Sequence, residues 1–458
     1  MFGKGALLMI VGFSMIFLVF GHNFNNMATS SVINFDEFLV QSKAHQIAAS
    51  GANFAANQVF MNSLWETGYS NLSFDGGTIN VIISNPLINL ATKTAICHSL
   101  PSNPQNKYTL YVPNADVAGY LAKGDQLGVC STDPTGGSIG LITILSEGEY
   151  ADKNSEVGIL LRPSKFSKFA YFSNYEPSNI WWTNSDTVWG PFHVNGYIRS
   201  YRHPTYYGKV TCKNGLKYYT SSYKDKPNFY GGFEKGVDLP LPTDGVQKLE
   251  DAADASGVKF TGQDTVFLTF DKDSIKFRFH QNDKDSVVEA VSFSPNKVIF
   301  ADNAVLRVKG SVSGQYSIGC SGNGYGGRGN IYLDDNITYD DDPRINTNSA
   351  DLLGIIAQQN CYIADNAANS SGDIDIHASI FCEQGGFGSE NYDSRPYGGD
   401  INLHGGIIQA VRRAVGTFGS YGTGTGFNKR YRYDQRLMLI SPPHYPGTGQ
   451  YEVVSWFE

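Results

Sequence analysis

The feature that most constrains this chain is its first 65 residues. A short head with a single charge, Lys4, is followed by the fifteen uncharged residues 6–20, ALLMIVGFSMIFLVF. No Pro interrupts the chain between it and a long Ala-rich stretch that runs to Trp65. As a helix, fifteen residues cover about 22 Å, short of the roughly 30 Å hydrocarbon core. That length suits the apolar region of a secretory signal, but GHNFNNMATSS after Phe20 offers no small-residue cleavage site. The helical pattern also continues. Val32, Ile33, Phe35, Phe38, Leu39, Ile47, Phe54, Val59, Phe60 and Leu64 recur at three- and four-residue steps. Ala44, Ala48, Ala49, Gly51, Ala52, Ala55 and Ala56 form a small-residue seam that permits close approach of a helix or sheet. The pattern predicts a membrane anchor over 6–20 continuing into a packing helix. A cleaved signal followed by a core helix is the plainer alternative.

Beyond residue 65 the texture changes. The chain carries 50 Gly, 27 Tyr and 28 Phe in 458 residues, with 17% charged. One short helix is expected, over 241–257, with Thr243 as N-cap and Gly257 past its end. The rest predicts a β-rich body with many turns. Strands are expected at 78–84 and 107–112, with hairpins over 140–161 and 266–281. Four regions follow: 1–65, the anchor and assembly helix; 66–165, a β region; 166–295, an aromatic-rich β domain; and 296–458, Gly- and Asn-rich repeats with a closing tail. From Asn296 short strands alternate with Gly or Asn corners, a rhythm that predicts a β-solenoid, with a sandwich as the alternative. The Gly-rich opening of 417–437 reads as a flexible loop without the strand–helix context of a phosphate site.

The net charge of −8 argues against nucleic acid or anionic lipid as a partner of the body. Six cysteines in an exported chain permit disulfides, and Cys97 with Cys130 is the first expected pair; Cys361 and Cys382 could face each other on neighbouring strands. No CxxC spacing points to zinc, and no metal or cofactor is expected. Asp334, Asp335, Asp340, Asp341 and Asp342 make an acidic corner that could hold Ca²⁺, but without the spacing of an EF-hand-like loop a solvated acidic loop is the favoured reading. The aromatics Phe166, Phe169, Tyr171, Phe172, Trp181, Trp182 and Trp189 are read as core before sugar-stacking surface. His193 is read as structural. Asp373 and Asp375 with His377 and His404 are the one constellation suited to acid–base work, against an ordinary polar solenoid face. Asp434 and Arg436 are read as a salt bridge pinning the tail. No nucleophile–base set supports an enzyme.

Lys4-Gly5-Ala6 followed by the apolar run resembles the prepilin signal of type IV pilins. The resemblance implies cleavage after Gly5 by a prepilin peptidase, a mature chain starting at Ala6, and assembly with other pilin-like subunits through the first helix. Ile10 stands where major pilins carry a Glu, which resembles large minor pilins and tip pseudopilins. DTVWGPFHVNG (186–196), PTYYGKVT (204–211) and the closing segment around 431–446 resemble a domain of unknown function attached to PilX-like N-termini. The expected protein is therefore an exported filament subunit, anchored in the inner membrane and then displayed at the cell surface. Its body could meet a surface polysaccharide or host ligand. A secreted carbohydrate-active solenoid enzyme and a passive adhesin with an uncleaved anchor are the alternatives.

Overall fold

The computed structural model describes residues 3–62, 65–86, 90–99, 104–105, 107–130, 141–419 and 422–458. They form two units, residues 1–163 with 450–458, and residues 164–449. The boundaries read from the sequence at 65 and 295 do not coincide with this division. The fold is mainly β with one long N-terminal helix.

In the first unit a single helix runs Gly3–Met61, about 88 Å at 1.5 Å per residue. Its two halves have different surroundings. From Leu7 to Leu39 the large apolar side chains are exposed. Toward the end Ala44, Ile47, Ala48, Ala52, Ala55 and Val59 are fully buried. They pack on Ile79, Val81, Ile144, Val157 and Ile159 of a five-stranded sheet, ordered Tyr69–Phe74, Gly77–Ser84, Ile142–Tyr150, Lys153–Lys165 and Gly447–Phe457. The small-residue seam exists for this sheet. A Cβ on Gly148 would lie 2.3 Å from Ala48 N and 2.5 Å from Ala44 O, so helix backbone crosses the strand where it has no side chain. Leu64 lies outside the described residues. A smaller sheet, Lys107–Pro113 with Lys93–Ser99 and Gln126–Leu127, carries the disulfide Cys97–Cys130.

The second unit is a three-sided parallel β-solenoid. Its coils begin near Tyr171, well before Asn296, so the aromatic-rich segment belongs to the same stack. On one side nine parallel pairings join ten strand segments. Their spatial order is not their sequence order. The chain enters mid-stack at Tyr171–Tyr175 and coils outward through Phe192–Val194 and Val210–Cys212 to Phe233–Lys235. It then crosses to the opposite end, Val258–Phe260, and coils back through Val298–Ala301, Gln315–Cys320, Leu352–Ala357 and Ile374–Cys382. The last coil, within Tyr397–Val411, pairs with Tyr171–Tyr175, Ile407 opposite Tyr171. The hairpin Thr265–Lys272 with Ser274–Arg278, extended by Ser286–Glu289, lies at the Val258 end.

The crossing is made by the helix Gly245–Ser256, whose Val246, Leu249, Ala252 and Ala253 pack on outward residues of the stack, Phe172, Phe300, Ile356, Phe381 and Ile408. Thr243 is not its cap. Asp244 takes that position without a side-chain bond, and Glu383 from a neighbouring coil accepts from Val246 N at 2.9 Å. A tertiary carboxylate thus meets the orphan amides that a local Thr would have met. The 417–437 segment is not a loop: Gly416–Gly419 and Gly422–Arg432 form antiparallel strands, residues 420 and 421 lying outside the described residues.

Where the first coil meets the last, Arg412 and Glu176 form a buried ion pair at 2.6 Å. Tyr171 donates to Glu176 at 2.7 Å, Gln409 donates to Tyr171 at 2.8 Å, and Arg412 stacks on Trp182 at 4.2 Å. Two outcomes are expected. Glu176→Gln leaves the Arg412 charge without its counter-ion and should cost about 3–5 kcal/mol in denaturant unfolding followed by tryptophan fluorescence. Gly148→Val should destabilise the first unit by about 3 kcal/mol or more, because the obstacle is backbone; a Tm equal to wild type would show that the helix does not need this crossing.

Candidate functional site

Alternation in the solenoid places one residue per strand inside and the next outside. Ile376, Leu403, Tyr431, Val188, Tyr206 and Phe229 face the core. The residues after them, His377, His404, Arg432, Trp189, Tyr207 and Tyr230, form one outward column over six successive coils. His377 is in register with His404, His404 with Arg432, and Arg432 with Trp189. Val188, Tyr206 and Phe229 hold the remaining coils in step. The Arg432 guanidinium lies 5.2 Å over the Trp189 ring. Trp189 stacks on Tyr207 at 5.6 Å and 6°, and Tyr207 on Tyr230 at 5.0 Å and 12°.

Glycines make the close stacking possible. Gly190 adopts φ +133°, and a Cβ on Gly208 would lie 1.9 Å from Gly190 O. The repeated signature, an apolar core residue, an outward aromatic and Gly, is visible in the sequence as Val188-Trp189-Gly190, Tyr206-Tyr207-Gly208 and Phe229-Tyr230-Gly231. The sequence reading missed it because the repeats are unequally spaced.

The histidine end of the column is covered by the 340–350 segment. Arg344 pairs with Asp342 through Nε and Nη2. Tyr339 N lies 3.0 Å from His377 Nδ1 and Arg344 Nη2 3.0 Å from His377 Nε2, two donors of which a neutral imidazole can accept only one. Burial, reinforced by the Arg344 charge, lowers the His377 pKa to about 4. Burial also lowers the pKa of His404, against the pull of Asp434, so both rings are neutral near pH 7. His404 is 6% exposed, and neither ring nitrogen makes a hydrogen bond among the described residues. Its Nε2 lies 3.7 Å from Asp434 Oδ2, whose carboxylate is taken by Arg436 at 2.6 Å. His404, Asp434 and Arg436 line an open cleft of about 690 Å³ with Arg432, Trp189 and Tyr207. Arg432 is exposed and has no carboxylate partner among the described residues.

The other sequence candidates are dispersed. Asp373 accepts from Asp400 N at 2.8 Å and Asp375 from Asn402 Nδ2 at 3.0 Å. Neither lines the cleft that holds His404. Asp334 pairs with Arg307, Asp340 with Lys272, and Asp341 accepts from Asn346 at 2.7 Å. With Asp342 held by Arg344, the protein's own cations and amides occupy the corner, Asp335 bonding locally to Asn336 N. No group of three His, Cys, Asp or Glu suited to a metal occurs among the described residues. Cys361 and Cys382 are buried free thiols, not a disulfide; they sit inside the stack, and burial raises both thiol pKa values. His193 is fully buried between Thr211 Oγ1 and Asn195 Oδ1, both at 2.7 Å, so its partners are side chains and not backbone. Trp182 is fully buried, as are Phe166 and Phe172, whereas Trp189 faces outward.

The first unit holds a second titratable cluster beside its disulfide. His98 is clasped between Asp125 and Glu156, each at 2.9 Å, with Tyr108 donating to Glu156 at 3.2 Å. Tyr120 packs on the His98 ring at 6.2 Å, its own pKa pushed up to about 12 by burial and by Asp116 and the same two acids. Burial alone would lower the His98 pKa, but the hydrogen bonds and charges of Glu156 and Asp125 outweigh it and leave it raised. A raised folded pKa means that the clasp's contribution is complete below the unfolded value of about 6.5 and is lost as pH rises through the folded value. Thermal melts across this range should show wild type losing its advantage over His98→Gln as pH rises. A gap that widens with pH would contradict the charged clasp.

No family model matches the sequence, and no curated protein matches it. Among solved structures the chain is similar to the competence-associated pilin ComZ from Thermus thermophilus. The two are 13% identical, the match covers 91% of this chain and 97% of that one, and the TM-score is 0.36.

Proposed function

We propose that this chain is an exported, membrane-anchored structural subunit of a type IV pilus-like or type II secretion-like filament, in the position of a minor or tip pilin. The observation that carries the reading is the division of the first helix. Its N-terminal half is apolar enough to cross a membrane, and none of that stretch is buried, while its C-terminal half is a packed part of a folded unit. A helix built this way belongs to two environments. Lipid would cover the exposed half before assembly, and the helices of other pilin-like subunits would cover it afterwards. The energetic drive is about 25 cal/mol per Å² of apolar surface removed from water.

The cysteine pair Cys97–Cys130 fits an exported protein. Ile10 in place of an acidic residue favours a subunit with no predecessor to pair with, at the filament's leading end. In this reading the solenoid is the displayed body, with adhesion as its role, and the prepilin peptidase is the processing partner. Asp373 and Asp375 are held by neighbouring amides and lie apart from the cleft, which favours a binding body over a glycan-cleaving one.

Mass spectrometry of the N-terminal peptide from protein sheared off cells tests the proposal. A chain starting at Ala6, N-methylated, is the expected result. Gly5→Leu should hold the chain in the membrane at its unprocessed length. A start at Met1 in surface material would leave a simple anchor, and a start beyond Phe20 would make the protein secreted; either overturns the filament reading.

A further inference from the structure

We propose that the cleft beside His404 and Arg432 is a binding site for an acidic glycan, one that carries a carboxylate on a hydroxyl-rich ring. This goes beyond the filament reading and does not depend on it, because every residue concerned lies in the second unit.

Three observations define the ligand class. The first is a single uncommitted cation. Arg344 and Arg436 are engaged by Asp342 and Asp434, whereas Arg432 has no carboxylate within reach among the described residues and is held in place by stacking on Trp189. A planar guanidinium fixed in this way offers a fork for a carboxylate. The second is His404, buried at the cleft lining with both nitrogens lacking a hydrogen bond. A neutral imidazole has one donor and one acceptor. A hydroxyl can donate to the bare nitrogen or accept from the N–H, so it suits either side of the ring, whereas an anion can only accept from the N–H and an apolar group does neither. Leaving such a buried ring unbonded is unfavourable, and a ligand hydroxyl that bonds either nitrogen would relieve it.

The third observation concerns the aromatic wall. The faces of Trp189 are covered by Arg432 on one side and Tyr207 on the other. The ladder therefore presents ring edges to the cleft, and an aromatic ligand finds no free Trp189 face for stacking. Edges carry the positive ring C–H groups and suit the hydroxyl oxygens of a saccharide rim. The volume of about 690 Å³ accommodates one to three sugar rings, and the open form admits a unit within a chain.

Isothermal titration of the full-length chain in detergent micelles tests the assignment, with trigalacturonate as the probe and its carboxyl-reduced, neutral counterpart as the comparison. The charged trisaccharide should bind, and the neutral one should bind about tenfold more weakly or worse. Arg432→Gln should lower affinity for trigalacturonate by about tenfold or more, with Arg432→Lys recovering part of it. His404→Phe, which keeps the ring and removes both nitrogens, should weaken both trisaccharides alike. Thermal melts establish that each variant is folded. Failure of the folded wild type to bind trigalacturonate at millimolar concentration overturns the proposal. So does equal affinity for the neutral sugar, or a folded Arg432→Gln variant that binds like wild type.

Discussion

The second unit depends on one contact between residues far apart in the chain, the buried pair of Arg412 and Glu176. It lies where the chain's last coil is laid beside its first. A solenoid wound in sequence order needs only neighbours, and each coil can form as the previous one is completed. Here the entering coils, from Tyr171 to Lys235, present an unpaired edge until Ile407–Val411 arrives. Desolvating a guanidinium and a carboxylate costs several kcal/mol per ion, so the pair contributes little net stability over an apolar replacement. Its effect is selective. A coil brought to that edge one residue out of register would bury Arg412 without Glu176, and a register slip would also turn Tyr171 away from Gln409. On a second side of the stack Lys429 and Asp186, at 2.9 Å, repeat the arrangement across the same join.

The first unit is governed by a different constraint, that one continuous helix has two halves with unlike surroundings. Its buried half meets the sheet through Ala and Gly because the helix backbone lies against Gly148. Larger side chains would hold it off. Its exposed half carries Leu, Ile, Phe and Met, which no described residue of the unit covers. The change falls near residue 40, where the small-residue seam begins. That step in side-chain size divides one uninterrupted element into an uncovered apolar half and a packed structural spine.

How much of this was legible follows from how local each determinant is. The first helix, the strands at Gly77–Ser84 and Lys107–Pro113, and the hairpin turning at Asp271–Lys272 are encoded by short-range periodicity, and the sequence shows them. The disulfide partner of Cys97 was accessible because both cysteines sit in one loop-rich segment. The coils after Asn296 announce themselves by repetition. The coils between Tyr171 and Lys235 do not, because their strands are only two to five residues long and their inward residues are large aromatics such as Trp182 and Tyr206. Such residues read as a separate domain when the pattern is judged by aliphatic alternation. The stacking order was out of reach, since nothing local in Tyr171–Tyr175 names Ile407 as its neighbour. Thr243 failed as a cap for the same reason: its competitor, Glu383, lies in another coil.

The cleft belongs to that non-local layer, and its position follows from the join. His404 and Arg432 come from the coils that finish the chain, whereas Trp189 and Tyr207 come from the coils that begin the stack. The step from Arg432 to Trp189 is the join itself on this side of the solenoid. Sequence inspection grouped His377 with His404 because they occupy like points of successive repeats, and that grouping is correct in space. It then added Asp375, two residues before His377 in the strand Ile374–Cys382, and Asp373, just ahead of that strand, neither of which lines the cleft. The partners that matter, Arg432 and Trp189, sit in segments separated by most of the body's length. Closing the stack therefore does two things at once: it removes an exposed sheet edge, and it assembles a cationic, aromatic-walled cleft that neither half of the chain contains.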